Sequence, residues 1–176
     1  MEAELMRIAV EGRGGQGVLT LGKILGIALG EYYKYVTISP SYTAEMFGGP
    51  CYSYVVASNE AFHNPIPESV DMGISLDGAI GEILSKSLCE ESEILIAKSS
   101  RTLLSILRKE TLSSEALEIL KDNRKSDFPI NIYLFVVAAR YLGIGTDVVV
   151  RSLYQSFPEG GAETYVKLMD ALAVEA

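Results

Sequence analysis

The feature that most constrains this chain is the stretch Ile8–Gly17, IAVEGRGGQG, which runs directly into the apolar, helix-capable segment Val18–Leu29. A short apolar strand meets four glycines within six residues and then a helix. That order builds a turn whose backbone N–H groups point outward at the positive end of a helix dipole, which is how an α/β protein cradles a phosphate or another anion. Gly12, Gly14 and Gly17 fall on the spacing G-x-G-x-x-G. The usual division of labour among such glycines is a tight turn, a close backbone approach to the ligand, and close packing of helix on strand. Gly15 and Gln16 complete the loop, and Arg13 adds a cation where a phosphate would sit.

A dinucleotide site needs one more residue, a carboxylate about 20 positions on, at the end of the second strand, to hold the ribose hydroxyls. The second strand reads as Tyr35–Ser39 and runs into Ser39-Pro40-Ser41-Tyr42, with no acid at its end. Glu31 comes too early and Glu45 too late. The uncharged strand end disfavours a stand-alone NAD(P)-binding dehydrogenase. It suits a different phosphate-bearing ligand, or an interaction module whose loop binds nothing.

A second constellation follows in residues 39–50, SPSYTAEMFGGP. Its hydroxyls and single carboxylate (Ser39, Ser41, Tyr42, Glu45), closed by Gly48-Gly49, belong near the glycine loop if both lie at the carboxyl ends of parallel strands. Further on, strands Tyr52–Ser58, Val70–Leu76 and Ser92–Ala97 alternate with a helix over Ala79–Leu88, opened by Asp77-Gly78. This alternation predicts a Rossmann-like, doubly wound and mainly parallel α/β sheet with helices on both faces. A helical C-terminal part follows, with segments Leu103–Lys109, Ser113–Asn123, Pro129–Leu142 (stopped by Gly143 and Gly145), Thr146–Phe157 and Glu159–Val174. Residues 1–176 read as one domain. Within the first helix Gly22, Gly26 and Gly30 line one face. Each costs about 1 kcal/mol against alanine, so a close contact is expected there, with the chain's own sheet or with a crossing helix.

Composition narrows the function. A net charge of −8 leaves no basic face for nucleic acid. Two cysteines, Cys51 and Cys89, and one histidine, His63, do not make a zinc or iron–sulfur ligand set. Both cysteines read as small buried hydrophobes in a reducing compartment. With no signal-peptide pattern and no long apolar run, the chain reads as cytoplasmic and not membrane-bound. A mean hydropathy of +0.22 and ten tyrosines point to a subunit with surface to bury against partners. There is no nucleophile elbow, no Walker lysine and no carboxylate pair, so the sequence offers a binding loop without catalytic groups.

The opening GRGGQGVLTLGKIL and the later SPSYTAEMFGGPCYSYVVAS resemble the γ subunit, or γ domain, of the 2-oxoacid:ferredoxin (acceptor) oxidoreductases. Asp71–Leu76 and Ile130–Gly143 fit the same family, and the match spans nearly the whole chain. The resemblance implies a Rossmann-like, non-catalytic part of an enzyme that converts pyruvate, 2-oxoglutarate or a related oxoacid and coenzyme A to acyl-CoA. It further implies α and β subunits carrying thiamine diphosphate, a ferredoxin-like δ subunit carrying iron–sulfur clusters, and coenzyme A as the ligand associated with this part. A homodimer is compatible with it. The ligand-contacting residues would be Gly12, Arg13, Gly14, Gly15, Gln16, Gly17, Ser39, Ser41, Tyr42, Glu45, Gly48 and Gly49. At one position the chain departs from the family: Phe47 stands where the pattern has arginine before Gly-Gly, so a guanidinium contact from that position is not available.

Overall fold

The computed structural model describes residues 4–42, 48–97, 105–106, 129–157, 161–163 and 165–166. Six strands form one sheet in the order β2-β3-β1-β4-β5-β6. They are β1 (Leu5–Arg13), β2 (Tyr35–Tyr42), β3 (Pro50–Ser58), β4 (Val70–Ser75), β5 (Leu88–Ile96) and β6 (Ser105–Ile106). Helices α1 (Val18–Leu29), α2 (Glu82–Ser87), α3 (Ile130–Tyr141) and α4 (Thr146–Ser156) complete the described elements.

The α/β class expected from the sequence is present, with a specific rearrangement. β1 pairs in parallel with β4, and β4 with β5. β3 is inserted between β1 and β2 and runs antiparallel to both. Two strands antiparallel to the same neighbour point the same way, so β1, β2, β4 and β5 share one direction and their carboxyl ends share one edge. The sheet is therefore mainly parallel by strand direction yet mixed in its pairings. A short connection lets β3 return antiparallel beside β2, whereas a parallel neighbour would have needed a crossover.

Side-chain alternation along β1 sorts the two faces. Ile8 and Val10 join a core with Leu21, Ile24 and Leu25 of α1 and with Ile132 and Phe135 of α3. Ala9 faces the other way, into a smaller cluster with Tyr54, Val70 and Leu84 of α2. Helices thus cover both faces. Tyr133 and Phe135 are among the largest fully buried side chains, each worth about 1.5–3 kcal/mol of apolar burial. The glycines of α1 pack on the chain's own sheet: a Cβ on Gly22 would lie 2.4 Å from Ser53 Oγ of β3, and one on Gly26 would lie 2.5 Å from Ile38 Cδ1 of β2.

α3 ends as Gly143 suggests. Its φ of 68° sits in a Schellman turn in which Ile144 N donates to Ala139 O (2.9 Å) and Gly143 N to Arg140 O (3.0 Å). Two expectations change. The α2 helix starts at Glu82 rather than Ala79, because Gly78 turns the chain with φ 81° and the buried Glu11 carboxylate of β1 accepts from Gly81 N and from Leu84 N (3.0 Å), setting the first turn three residues later. Residues 105 and 106, read as helical, instead form β6, whose backbone pairs with the open edge of β5. The rest of the Leu103–Lys109 and Ser113–Asn123 segments lies outside the described residues, as does most of Glu159–Val174, of which 162–163 and 165–166 are helical. Among the described residues no helix is long and apolar enough to cross a membrane.

Candidate functional site

The site lies where the carboxyl ends of β1, β2 and β4 meet. β1 runs through Gly12 and Arg13 and then turns at Gly14-Gly15 into α1. Gly17 is the residue before the helix, with φ 86° in the left-handed region, and as a glycine it brings no side-chain cap to the first turn. Leu21 N donates to Gly17 O (2.9 Å), while Gln16 N donates to Arg13 O (3.1 Å). Among the described residues nothing accepts from the N–H groups of Gly15, Gly17, Val18 or Leu19. These are the donors that a helix start leaves open for an anion.

The three pattern glycines divide their work differently from the usual scheme. Gly12 is the close-packing position, where a Cβ would lie 2.6 Å from Gln16 Oε1 and 2.9 Å from Val18 Cγ2. Gly14 makes the close backbone approach, but to this chain's own residues: its N–H donates to Gly49 O (2.9 Å). Gly17 makes the turn and packs on Asn131 of α3, which is 5% exposed and donates from Nδ2 to Gly17 O (3.4 Å).

Around the loop stands a ring of three side chains. Arg13 N donates to Gln16 Oε1 (2.7 Å), Arg13 Nε to Asp77 Oδ2 (2.8 Å), and Gln16 Nε2 to Asp77 Oδ1 (3.4 Å). The arginine expected as a free cation is therefore ion-paired through Nε, although its side chain stays 60% exposed.

The second constellation is partly brought to this place. Across the edge, Tyr42 of β2 and Gly12 of β1 both pair with Cys51, and Arg13 pairs with Pro50. Tyr42 is 72% exposed, and Gly48-Gly49 abut Gly14. Ser39 and Ser41 instead sit beside Tyr54 and Tyr52, on the sheet face that carries α2, and neither hydroxyl bonds the glycine loop. Glu45 and Phe47 lie outside the described residues. Sequence reasoning missed Asp77 and Asn131. Asp77-Gly78 directly after a strand was the available signal for the first. Asn131 is separated from Gly17 by 114 positions, and nothing local marks it.

The insertion of β3 also bears on dinucleotides. Neighbouring strands are about 4.8 Å apart, so the end of β2 stands roughly 10 Å from β1, twice the usual distance for a ribose-binding residue. The described end of β2 also carries no carboxylate, so the described residues do not form the dinucleotide arrangement.

The two thiols differ. Cys51 is buried beneath the loop, and burial pushes its pKa up. Cys89, expected to be buried, is exposed at the start of β5, where its hydrogen bonds with the Ser92 side chain and with the Glu91 backbone push its thiol down. Ellman's reagent should therefore modify Cys89 rapidly in the native chain and Cys51 only after unfolding. Equal rates for the two would contradict the burial of Cys51.

The sequence matches the pyruvate ferredoxin/flavodoxin oxidoreductase family over residues 7–173. The chain belongs to that family. Comparison with curated proteins found no match. Among solved structures, similarity extends to the 2-oxoglutarate:ferredoxin oxidoreductase of Magnetococcus marinus, whose structure has 2-oxoglutarate, coenzyme A and succinyl-CoA bound (TM-score 0.72, 16% identity). That alignment covers 98% of this chain and 31% of the Magnetococcus chain, so this family member spans about a third of that relative's length. The pyruvate oxidoreductase subunit PORC of Thermotoga maritima aligns over 97% of both chains (TM-score 0.61, 17% identity). The γ subunit of a keto/oxoacid ferredoxin oxidoreductase from Geobacter sulfurreducens aligns over 97% of this chain and 98% of that one (TM-score 0.65, 19% identity). At these identities the likeness establishes a shared fold, and the family match carries the assignment.

Proposed function

We propose that this chain is the γ subunit of a thiamine-diphosphate-dependent 2-oxoacid:ferredoxin (acceptor) oxidoreductase, a cytoplasmic assembly that converts a 2-oxoacid and coenzyme A to acyl-CoA and CO2. In this reading α and β subunits hold thiamine diphosphate, a ferredoxin-like δ subunit holds the iron–sulfur clusters, and this chain supplies no reacting group. Its contribution is to bind and orient coenzyme A through the glycine loop. The observation that carries the reading is the row of N–H groups at Gly15 and Gly17–Leu19 that find no acceptor among the described residues, in the same loop as Arg13, set in a chain of this family. Coenzyme A's diphosphate is a doubly anionic group of the right chemistry for such a row. Backbone donors reach it without side-chain rearrangement, and the helix dipole favours its charge. Fixing the diphosphate would restrict where the thiol arm can lie, which is an orienting role.

The test is reconstitution with the partner subunits. The isolated chain should oxidise no 2-oxoacid with thiamine diphosphate, coenzyme A and an artificial acceptor. In the assembled enzyme Arg13→Gln should raise KM for coenzyme A about tenfold, the worth of one charge-assisted hydrogen bond, with kcat and assembly unchanged. An unchanged KM would remove the loop from the coenzyme A site.

A further inference from the structure

We infer that Asp77 is a positioning residue for this loop: it holds Arg13 by Nε so that the two terminal Nη amines of the guanidinium are presented to an anionic ligand. The inference rests on the coenzyme A reading above and goes beyond it by assigning a role to a residue outside the glycine motif.

Asp77 follows β4, which runs parallel and adjacent to β1 with Glu11 opposite Ser75. That register brings its carboxylate to the same edge as the glycine turn. The two carboxylate oxygens divide their work, Oδ2 accepting from Arg13 Nε (2.8 Å) and Oδ1 from Gln16 Nε2 (3.4 Å). Gln16 Oε1 closes the ring by accepting from Arg13 N (2.7 Å). The ring brackets Gly14-Gly15 from both ends. Among the described residues nothing accepts from the Nη amines of Arg13. They are the part of the fork suited to two parallel bonds with a phosphate.

A carboxylate near an anion site could instead compete with the ligand, and magnitudes decide between the two effects. An arginine tethered only by its own chain gives up rotamer freedom on binding, worth up to about thirtyfold in affinity. Asp77 removes much of that loss in advance. Its own repulsion of one phosphate charge roughly 7 Å away through a water-like medium amounts to about threefold, and of the doubly charged diphosphate to about sevenfold, less once salt screens it. Positioning therefore outweighs repulsion.

The experiment measures KM for coenzyme A and kcat in the reconstituted enzyme for wild type, Arg13→Gln, Asp77→Asn, Asp77→Glu and the double variant Arg13→Gln/Asp77→Asn. Asp77→Asn should raise KM about three- to tenfold at constant kcat, and Asp77→Glu should return it to within about twofold of wild type. In the Arg13→Gln background Asp77→Asn should add nothing, because the residue acts through Arg13. An Asp77→Asn enzyme with unchanged or lower KM would overturn the inference, as would an equal penalty in the Arg13→Gln background. If Arg13→Gln raises KM while Asp77→Asn does not, the positioning role alone fails. If neither variant changes KM, the loop reading fails and takes the inference with it.

Discussion

Gly17→Val is expected to lower the melting temperature of the chain by about 10 °C. Two separate costs meet at this position. The backbone φ is 86°, where a β-branched residue pays about 1–2 kcal/mol or more. A Cβ would also stand 2.4 Å from Asn131 Nδ2 and 2.6 Å from its Cγ. Asn131 is buried on α3 and cannot swing into solvent, so the collision moves a helix or breaks the Asn131–Gly17 hydrogen bond. Overpacking of this kind costs about 1–3 kcal/mol. The sum, about 2–5 kcal/mol, translates at roughly 2–4 °C per kcal/mol for a chain of this size. The same substitution at Gly15 separates the two costs, since its φ is 93° but a Cβ there meets nothing within 4 Å. Thermal unfolding of both variants should show Gly15→Val markedly less damaged, and equal losses would mean the contact with Asn131 carries no weight.

Glu11→Ala should cost about 3–4 kcal/mol. The side chain is 6% exposed and takes the N–H groups of Gly81 and Leu84. Truncation leaves two donors at the start of α2 without a partner in a dry place, each a loss of about 1–3 kcal/mol. Glu11→Gln keeps the shape and one acceptor but turns an amide NH2 toward the second N–H, so about half the loss should remain. Denaturant titration should rank the variants Ala, Gln and wild type in rising stability. A Gln variant as stable as wild type would show that one acceptor oxygen is enough there.

Much of the fold was legible because its signals are local. A strand, a glycine turn and a helix in succession announce themselves through composition over about 20 residues, and the structure returns them as β1, the loop and α1. Gly143 announces the end of α3 equally well. The insertion of β3 between β1 and β2 was not legible, because strand order is fixed by pairings such as Leu5 with Ser58, which no local pattern encodes. Residues 105 and 106 lie in a short apolar run whose periodicity fits helix or strand, and the open edge of β5 decided for strand. At the candidate site, the loop was readable and its surroundings were not. Asp77 looked like a helix opener because helix N-termini favour aspartate, yet it reaches across to Arg13. Asn131 belongs to the loop only because α3 packs on α1.

The placement of β3 also orders events as the chain is made. β1 and β2 share no hydrogen bond with each other; each pairs with residues 50–58. Until that segment has left the ribosome, the first forty-odd residues hold a helix and two strands with no sheet to join. At roughly 5–20 residues per second, β1 waits seconds for its neighbour. The apolar faces of β1 and α1 stay uncovered during that interval, a window in which chaperones or a co-synthesised partner would find them open. When residues 50–58 arrive, one strand joins β1 to β2; the glycine loop gains its contacts with Asp77 and Asn131 only once β4 and α3 have followed.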